Sequence, residues 1–182
     1  MTDDPAPRRR GRRGRWLVAA VVLIAAVALT VGLMNRDTPA TPVPLIAAAD
    51  RDAAPQITLP VLQAAQGIGP VGADVSLTDL RGRVVVVNVW AWWCAECRDE
   101  VPVLGKVSER YDPQEVVVLG INSEDRPADA RRFLVDFPFP YPSLRDPKDT
   151  SAKALGMWSY PGTFIIDARG RVAATHVGAV TQ

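Results

Sequence analysis

The chain has 182 residues, within the size of one domain, and 48% of them are hydrophobic against 23% charged, which excludes a wholly disordered polymer. A net charge of +1 excludes a generally basic nucleic-acid binder, two cysteines exclude a disulfide-rich scaffold, and a single histidine, His176, leaves little material for a histidine-based metal site. The average conceals an asymmetry: residues 1–15 carry six arginines against two aspartates, a net +4, so the remainder of the chain stands at −3.

After this basic tail comes an uncharged run, Trp16–Asn35, almost wholly apolar from Leu17 to Met34. Twenty helical residues span about 30 Å, the thickness of a bilayer core. The run has no polar face, so it does not read as a helix of a soluble core. The spacing predicts a single transmembrane anchor over 16–35. The arginines before it put residues 1–15 in the cytoplasm and everything after Arg36 outside. The competing reading is a cleaved signal peptide, whose apolar region is normally about 7–15 residues with a small-residue site close behind. Here the nearest Ala-x-Ala, Ala47–Ala49, lies well downstream. Residues 36–55 hold Pro39, Pro42, Pro44 and Pro55 among Ala, Thr and Asp, which predicts a semi-stiff tether. The folded domain is expected over 56–182.

Within that domain, Gln56–Leu80 reads as a short β-rich opening segment. Val84–Trp90 (VVVVNVW) is a continuous β-branched run, the mark of a strand buried on both faces. Ala95–Tyr111 has helical spacing at Val101, Leu104 and Val107 or Ser108, and Pro102 is expected to interrupt and kink it. Val116–Ile121 is a second buried strand, and Pro127–Phe137 a helix with proline in its first turn. Phe137–Pro147 is punctuated by prolines and reads as irregular. Asp149–Leu155 is a short helix closed by Gly156. Thr163–Asp167 and Val172–Val177 read as a hairpin about the turn Ala168–Arg171. The order predicts an α/β sandwich with a mixed sheet. The sequence stops at Gln182, directly after the last strand, while such a sheet needs helices over both faces; the expectation is that a C-terminal helix is missing.

Both cysteines lie in Cys94-Ala95-Glu96-Cys97, where a strand gives way to a helix. At a helix N-terminus, free N–H groups and the macrodipole favour an anion and lower a thiol pKa. Three residues on, the second thiol lies one turn away and within disulfide reach. CxxC at such a junction of an α/β domain signals thiol–disulfide chemistry. Half of a zinc site, a two-thiolate Cu(I) carrier and a structural disulfide are the other readings. Against them stand the lack of a second cysteine pair, the absence of a nearby methionine and the small loop that would be closed. A peroxidase would want Thr-x-x-Cys, where this chain has Ala91. Glu100, at i+3 from Cys97, is either a proton partner for the thiols or a solvated acid of the first helical turn. His176 reads as structural.

Three stretches, Ser76–Gly82 (SLTDLRG), Asn88–Pro102 (NVWAWWCAECRDEVP) and Tyr160–Asp167 (YPGTFIID) followed by Gly170, resemble in that order the thioredoxin-like family of membrane-anchored extracytoplasmic oxidoreductases of the TlpA/ResA/DsbE type. The resemblance covers about residues 56–180. It implies a thioredoxin-like fold, with a mixed central sheet and flanking helices, and thiol–disulfide exchange without a cofactor or metal. It implies protein disulfides or dithiols as substrates, frequent work in cytochrome c maturation, and a thiol protein of the membrane as electron donor. Reduction of protein disulfides is the first expectation and disulfide formation in exported proteins the second. By resemblance Cys94 is the attacking thiol, Cys97 the resolving one, and Glu100 an acid close to both. Pro161 is then a cis-proline whose loop lies against Cys94. The backbone of Tyr160 pairs with an extended substrate, and Trp93 is an exposed partner contact. Two departures are Glu96, where the family commonly has proline, and Trp92, where it has a small hydroxylic residue. An acid close to the sulfur would oppose thiolate formation.

Overall fold

The structure, a computed structural model, describes residues 43–181. The basic tail, the expected anchor over 16–35 and the first part of the expected tether lie outside the described residues. Among the described residues, no helix is long and apolar enough to cross a membrane.

The opening segment forms β1 (Thr58–Gln63) and β2 (Asp74–Ser76), antiparallel to each other. A 3-10 turn, Leu77–Leu80, follows, its start closed by a reciprocal capping box between Ser76 and Asp79. The valine runs build the centre. Branching at Cβ makes them stiff and suits them to a pleated surface covered on both sides. They become β3 (Val84–Trp90) and β4 (Val116–Ser123), parallel and paired from Val84↔Val116 to Trp90↔Asn122. The later strands are β5 (Ser143–Asp146), β6 (Gly162–Ile166) and β7 (Val172–Val177). One seven-stranded mixed sheet results, in the order β2-β1-β5-β4-β3-β6-β7. The helices are α1 (Ala95–Arg110), α2 (Pro127–Asp136) and α3 (Thr150–Ala154).

Side-chain alternation along β3 sorts the core into two layers. Val85, Val87 and Val89 join a cluster with Ile57, Leu119, Phe164 and Ala152 of α3. Trp90 belongs to the other cluster, with Cys97, Val101 and Leu104 of α1 and Ala130, Phe133 and Leu134 of α2. Both long helices therefore pack on the same face. The Trp90 indole stacks on Phe133 at 5.0 Å and meets Phe139 edge-on at 5.0 Å.

The structure differs from the sequence reading in four places. The segment read as irregular contains β5. Its Ser-Leu-Arg-Asp sequence has one apolar side chain, and it is a strand because its backbone pairs with β4 (Gly120↔Ser143) and with β1 (Val61↔Leu144). Helix α1 is not interrupted at Pro102, whose side chain is exposed and meets no packed neighbour element that would force a break. Trp90 and Trp92 alternate at the end of the valine run, which predicts that both pack; Trp90 is buried, but Trp92 lies beyond the end of β3, where alternation stops, and is 50% exposed. Part of the expected tether lies along β7: Ile46 N–H donates to Ala173 O (2.8 Å), Val172 N–H to Asp52 O (2.9 Å) and Ala54 N–H to Gly170 O (2.9 Å). These bonds cover an otherwise open sheet edge.

Candidate active site

Strand β3 delivers the chain to one end of the sheet, and a turn closed by Cys94 N–H to Ala91 O (3.1 Å) reverses it into α1. Cys94 is the N-cap of that helix, with an extended backbone, and its Sγ accepts the Cys97 N–H at 3.1 Å. The two sulfurs are joined in a disulfide, with Cα atoms 5.3 Å apart. Cys94 is 6% exposed and Cys97 1%, so the first sulfur is the one nearer solvent. The helix N-terminus favours negative charge on it after reduction.

The next turn of the buried stripe of α1 carries Glu100, fully buried. Its Oε1 accepts from Asn88 Nδ2 at 2.6 Å and its Oε2 from Val180 N–H at 3.2 Å. Burial pushes the Glu100 carboxyl up to about 7; the Asn88 and Val180 hydrogen bonds oppose the rise and the Glu96 carboxylate adds to it. Asn88 also donates to Thr163 Oγ1 at 3.2 Å. Asn88, Thr163 and His176 are successive partners across β3, β6 and β7, so the one histidine ends a polar row that begins beside Glu100. Its ring Nε2 lies 3.4 Å from Ala179 O.

Strand β6 runs antiparallel to β3 with Gly162 opposite Val89. Pro161 therefore lies at the same end of the sheet as the disulfide. The Tyr160–Pro161 peptide bond is cis, as the resemblance implied, and Pro161 O accepts from Gly178 N–H at 2.9 Å. Trp93, half exposed, meets the Tyr160 ring edge-on at 5.0 Å. Trp92 N–H donates to the buried Asp125 carboxylate at 2.7 Å, which ties the loop before Cys94 to the end of β4. Burial raises the Asp125 carboxyl above the usual range, against the pull of Asn122 and Trp92. A groove of about 500 Å³ runs from Trp92, Trp93 and Cys94 to Arg132 and Phe133 of α2 and to Phe137 just after it.

All six expected site residues, Cys94, Cys97, Glu100, Pro161, Trp93 and Tyr160, thus lie at one end of the sheet. The sequence reading missed Asn88, Asp125 and Val180. Asn88 left a signal, as the one amide in VVVVNVW; Val180 left none, because only its backbone N–H takes part. Among the described residues, no group of three or more His, Cys, Asp or Glu side chains stands ready to hold a metal ion.

The AhpC/TSA family profile matches residues 51–175. The chain belongs to the AhpC/TSA family. Its domain has the thioredoxin-like α/β fold. The crystal structure of a secreted thiol-disulfide isomerase from Corynebacterium glutamicum is 30% identical with a TM-score of 0.66, covering 80% of this chain and 88% of that one. A thiol:disulfide interchange protein DsbE of Pseudomonas fluorescens biotype C is 42% identical over 115 residues, 62% of this chain and 62% of that protein. The thiol-disulfide oxidoreductase ResA of Geobacillus thermodenitrificans is 32% identical over 111 residues, 61% of this chain and 64% of that protein. The chain spans a little under two thirds of the length of these curated relatives. They are of the type that the three motifs resemble.

Proposed function

We propose that this chain is a membrane-tethered, extracytoplasmic thiol–disulfide oxidoreductase that reduces protein disulfides, those met in cytochrome c maturation among them. The observation that carries the reading is the Cys94–Cys97 disulfide at the N-terminus of α1 with a buried carboxyl one turn behind it. Interchange and oxidoreductase are also the activities in the names of the relatives. The tether rests on the uncharged run Trp16–Asn35 behind its arginine cluster. A tether raises the effective concentration of partners held at the same membrane.

In the reduced protein the Cys94 thiolate attacks one sulfur of the substrate disulfide. A mixed disulfide forms and the substrate's other sulfur leaves as a thiolate. Cys97 then gives up its proton and attacks Cys94 Sγ. The internal disulfide closes, the second substrate sulfur leaves, and two electrons have passed to the substrate. Glu100 is the group that exchanges the Cys97 proton, because its carboxyl titrates near neutral pH at the buried side of the pair. The oxidised protein is returned to the dithiol by a thiol protein of the membrane. A peroxidase is disfavoured, because Ala91 supplies no hydroxyl three residues before Cys94.

The test is trapping in cells. Cys97→Ser in the full chain removes the resolving step, so mixed disulfides through Cys94 should accumulate and disappear on reduction. Cys94→Ser should trap none. Equal trapping by the two variants would overturn the assignment of roles, and trapping by neither would overturn the activity.

A further inference from the structure

Outside the disulfide and Glu100, Asp149 is the buried charged group with the least ordinary placement. It is 8% exposed and its backbone is left-handed, with φ 55° and ψ 23°, a region that side-chain-bearing residues seldom adopt. It directly precedes α3, where an aspartate would ordinarily cap the helix. Its carboxylate makes no such bond. Asp146 takes the free N–H groups instead, from Thr150 (3.2 Å), Ser151 (2.7 Å) and Ala152 (3.3 Å).

Released from capping, Asp149 turns to the active-site loops. Its Oδ1 accepts from Ser123 Oγ at 2.5 Å, at the end of β4, and from the Tyr160 hydroxyl at 2.9 Å, beside Pro161. Its Oδ2 faces the exposed Lys153 ammonium at 3.4 Å. Tyr160 is thereby held at both ends: its hydroxyl by a charged acceptor, its ring edge-on to Trp93, the neighbour of Cys94.

We propose that Asp149 is a positioning residue for disulfide exchange with polypeptides: by fixing the Tyr160 hydroxyl it holds Tyr160 and Trp93 as a rigid aromatic rim beside Cys94, on which the backbone and side chains flanking a substrate cysteine dock. This rests on the oxidoreductase reading above. A small dithiol reaches the sulfurs without touching the rim, whereas a polypeptide must cross it. The role therefore belongs to substrate binding and not to the reactivity of the disulfide.

The experiment uses the full chain and four variants: Tyr160→Phe, Asp149→Ala, Asp149→Asn and the double Tyr160→Phe/Asp149→Ala. The reduced protein is mixed with an excess of a short peptide holding one internal disulfide, and its single oxidation by the peptide is followed at rising peptide concentration, the half-saturating concentration serving as KM and the limiting rate as kcat. Separately, the oxidised protein is reduced by dithiothreitol. Tyr160→Phe and Asp149→Ala should each raise KM for the peptide by about 3- to 10-fold, the loss of one charge-assisted hydrogen bond, with kcat and the dithiothreitol rate within about twofold of the parent. Asp149→Asn keeps a neutral acceptor for the hydroxyl and should fall between the parent and Asp149→Ala. The double variant should be no worse than either single one, because both remove the same contact. An unchanged KM in Tyr160→Phe, additive losses in the double variant, or a parallel fall in the dithiothreitol rate would each overturn the proposal. A parent protein that dithiothreitol reduces but that never reduces the peptide would instead overturn the oxidoreductase reading, and this inference with it.

Discussion

Glu100 loses its water on folding and keeps two hydrogen bonds, from Asn88 and from the backbone of Val180. Two bonds do not replace full hydration of a carboxylate, so the proton is held up to about 7 instead of the ordinary 4.5. Below pH 4.5 the carboxyl is protonated in both folded and unfolded chains and costs nothing. As pH rises from 4.5 through 7 the unfolded chain releases the proton first, so stability falls, by on the order of 3 kcal/mol in all. Urea unfolding of the oxidised protein at several pH values should show this decline, and Glu100→Gln, which keeps the shape and the Asn88 contact, should flatten it. The same variant should shift the pH profile of Cys94 alkylation in the reduced protein, because it removes a buried negative charge one helical turn behind the thiols, which opposes a thiolate there. A profile identical to the parent's would reduce Glu100 to a buried structural acid.

Strand β4 shows how one small residue shapes an element. Its valines fill both faces, but at Gly120 a Cβ would stand 2.8 Å from Ser143 Oγ and 3.0 Å from Trp90 Nε1. The Trp90 indole crosses the strand at that place and donates to Ser143 Oγ at 3.0 Å. Gly120→Ala should therefore overpack the layer and disturb this bond, lowering stability by about 1–3 kcal/mol in urea unfolding. The dithiothreitol rate at Cys94–Cys97 should change little, because the clash lies within the sheet. Elements with a dense local signal are legible in the sequence: β7 matches its predicted range, β3 likewise, and α1 and α2 each end one residue earlier than predicted. Strand β5 is not legible. Its four residues have no period of their own and are recruited by open hydrogen-bonding edges on β4 and β1.

At the scale of the whole molecule, the sheet gathers its chemistry at the end where β3 gives way to α1 and β6 begins. The same logic bears on the tether. Residues 46–54 are bonded to β7 and to the turn before it, reinforced by the Arg51–Asp167 ion pair at 3.1 Å, so they belong to the folded layer and not to a free linker. If the run over 16–35 anchors the chain, the full-length protein should sediment with membranes, resist extraction by carbonate, and expose its domain to protease only from the outer side. A mature soluble form beginning near Asp50 would refute the anchor in favour of a cleaved signal.

What the sequence by itself determined is what short-range chemistry controls. The valine runs require strands covered on both sides, CxxC at a strand-to-helix junction requires a thiol at a helix N-terminus, and three residues of spacing put Glu100 one helical turn from Cys97, as a proton partner or a solvated acid; that it is buried was decided by the fold. Tertiary structure decided the partners that lie far off in the chain. Asn88 and Val180 reach Glu100 across 12 and 80 residues, Asp125 reaches the loop of Trp92 across 33, and Ser123 meets Asp149 across 26. No local pattern encodes such pairs. They follow from strand order and register, which are fixed when the two apolar layers close, and closure brings each polar group to whichever buried partner the topology provides.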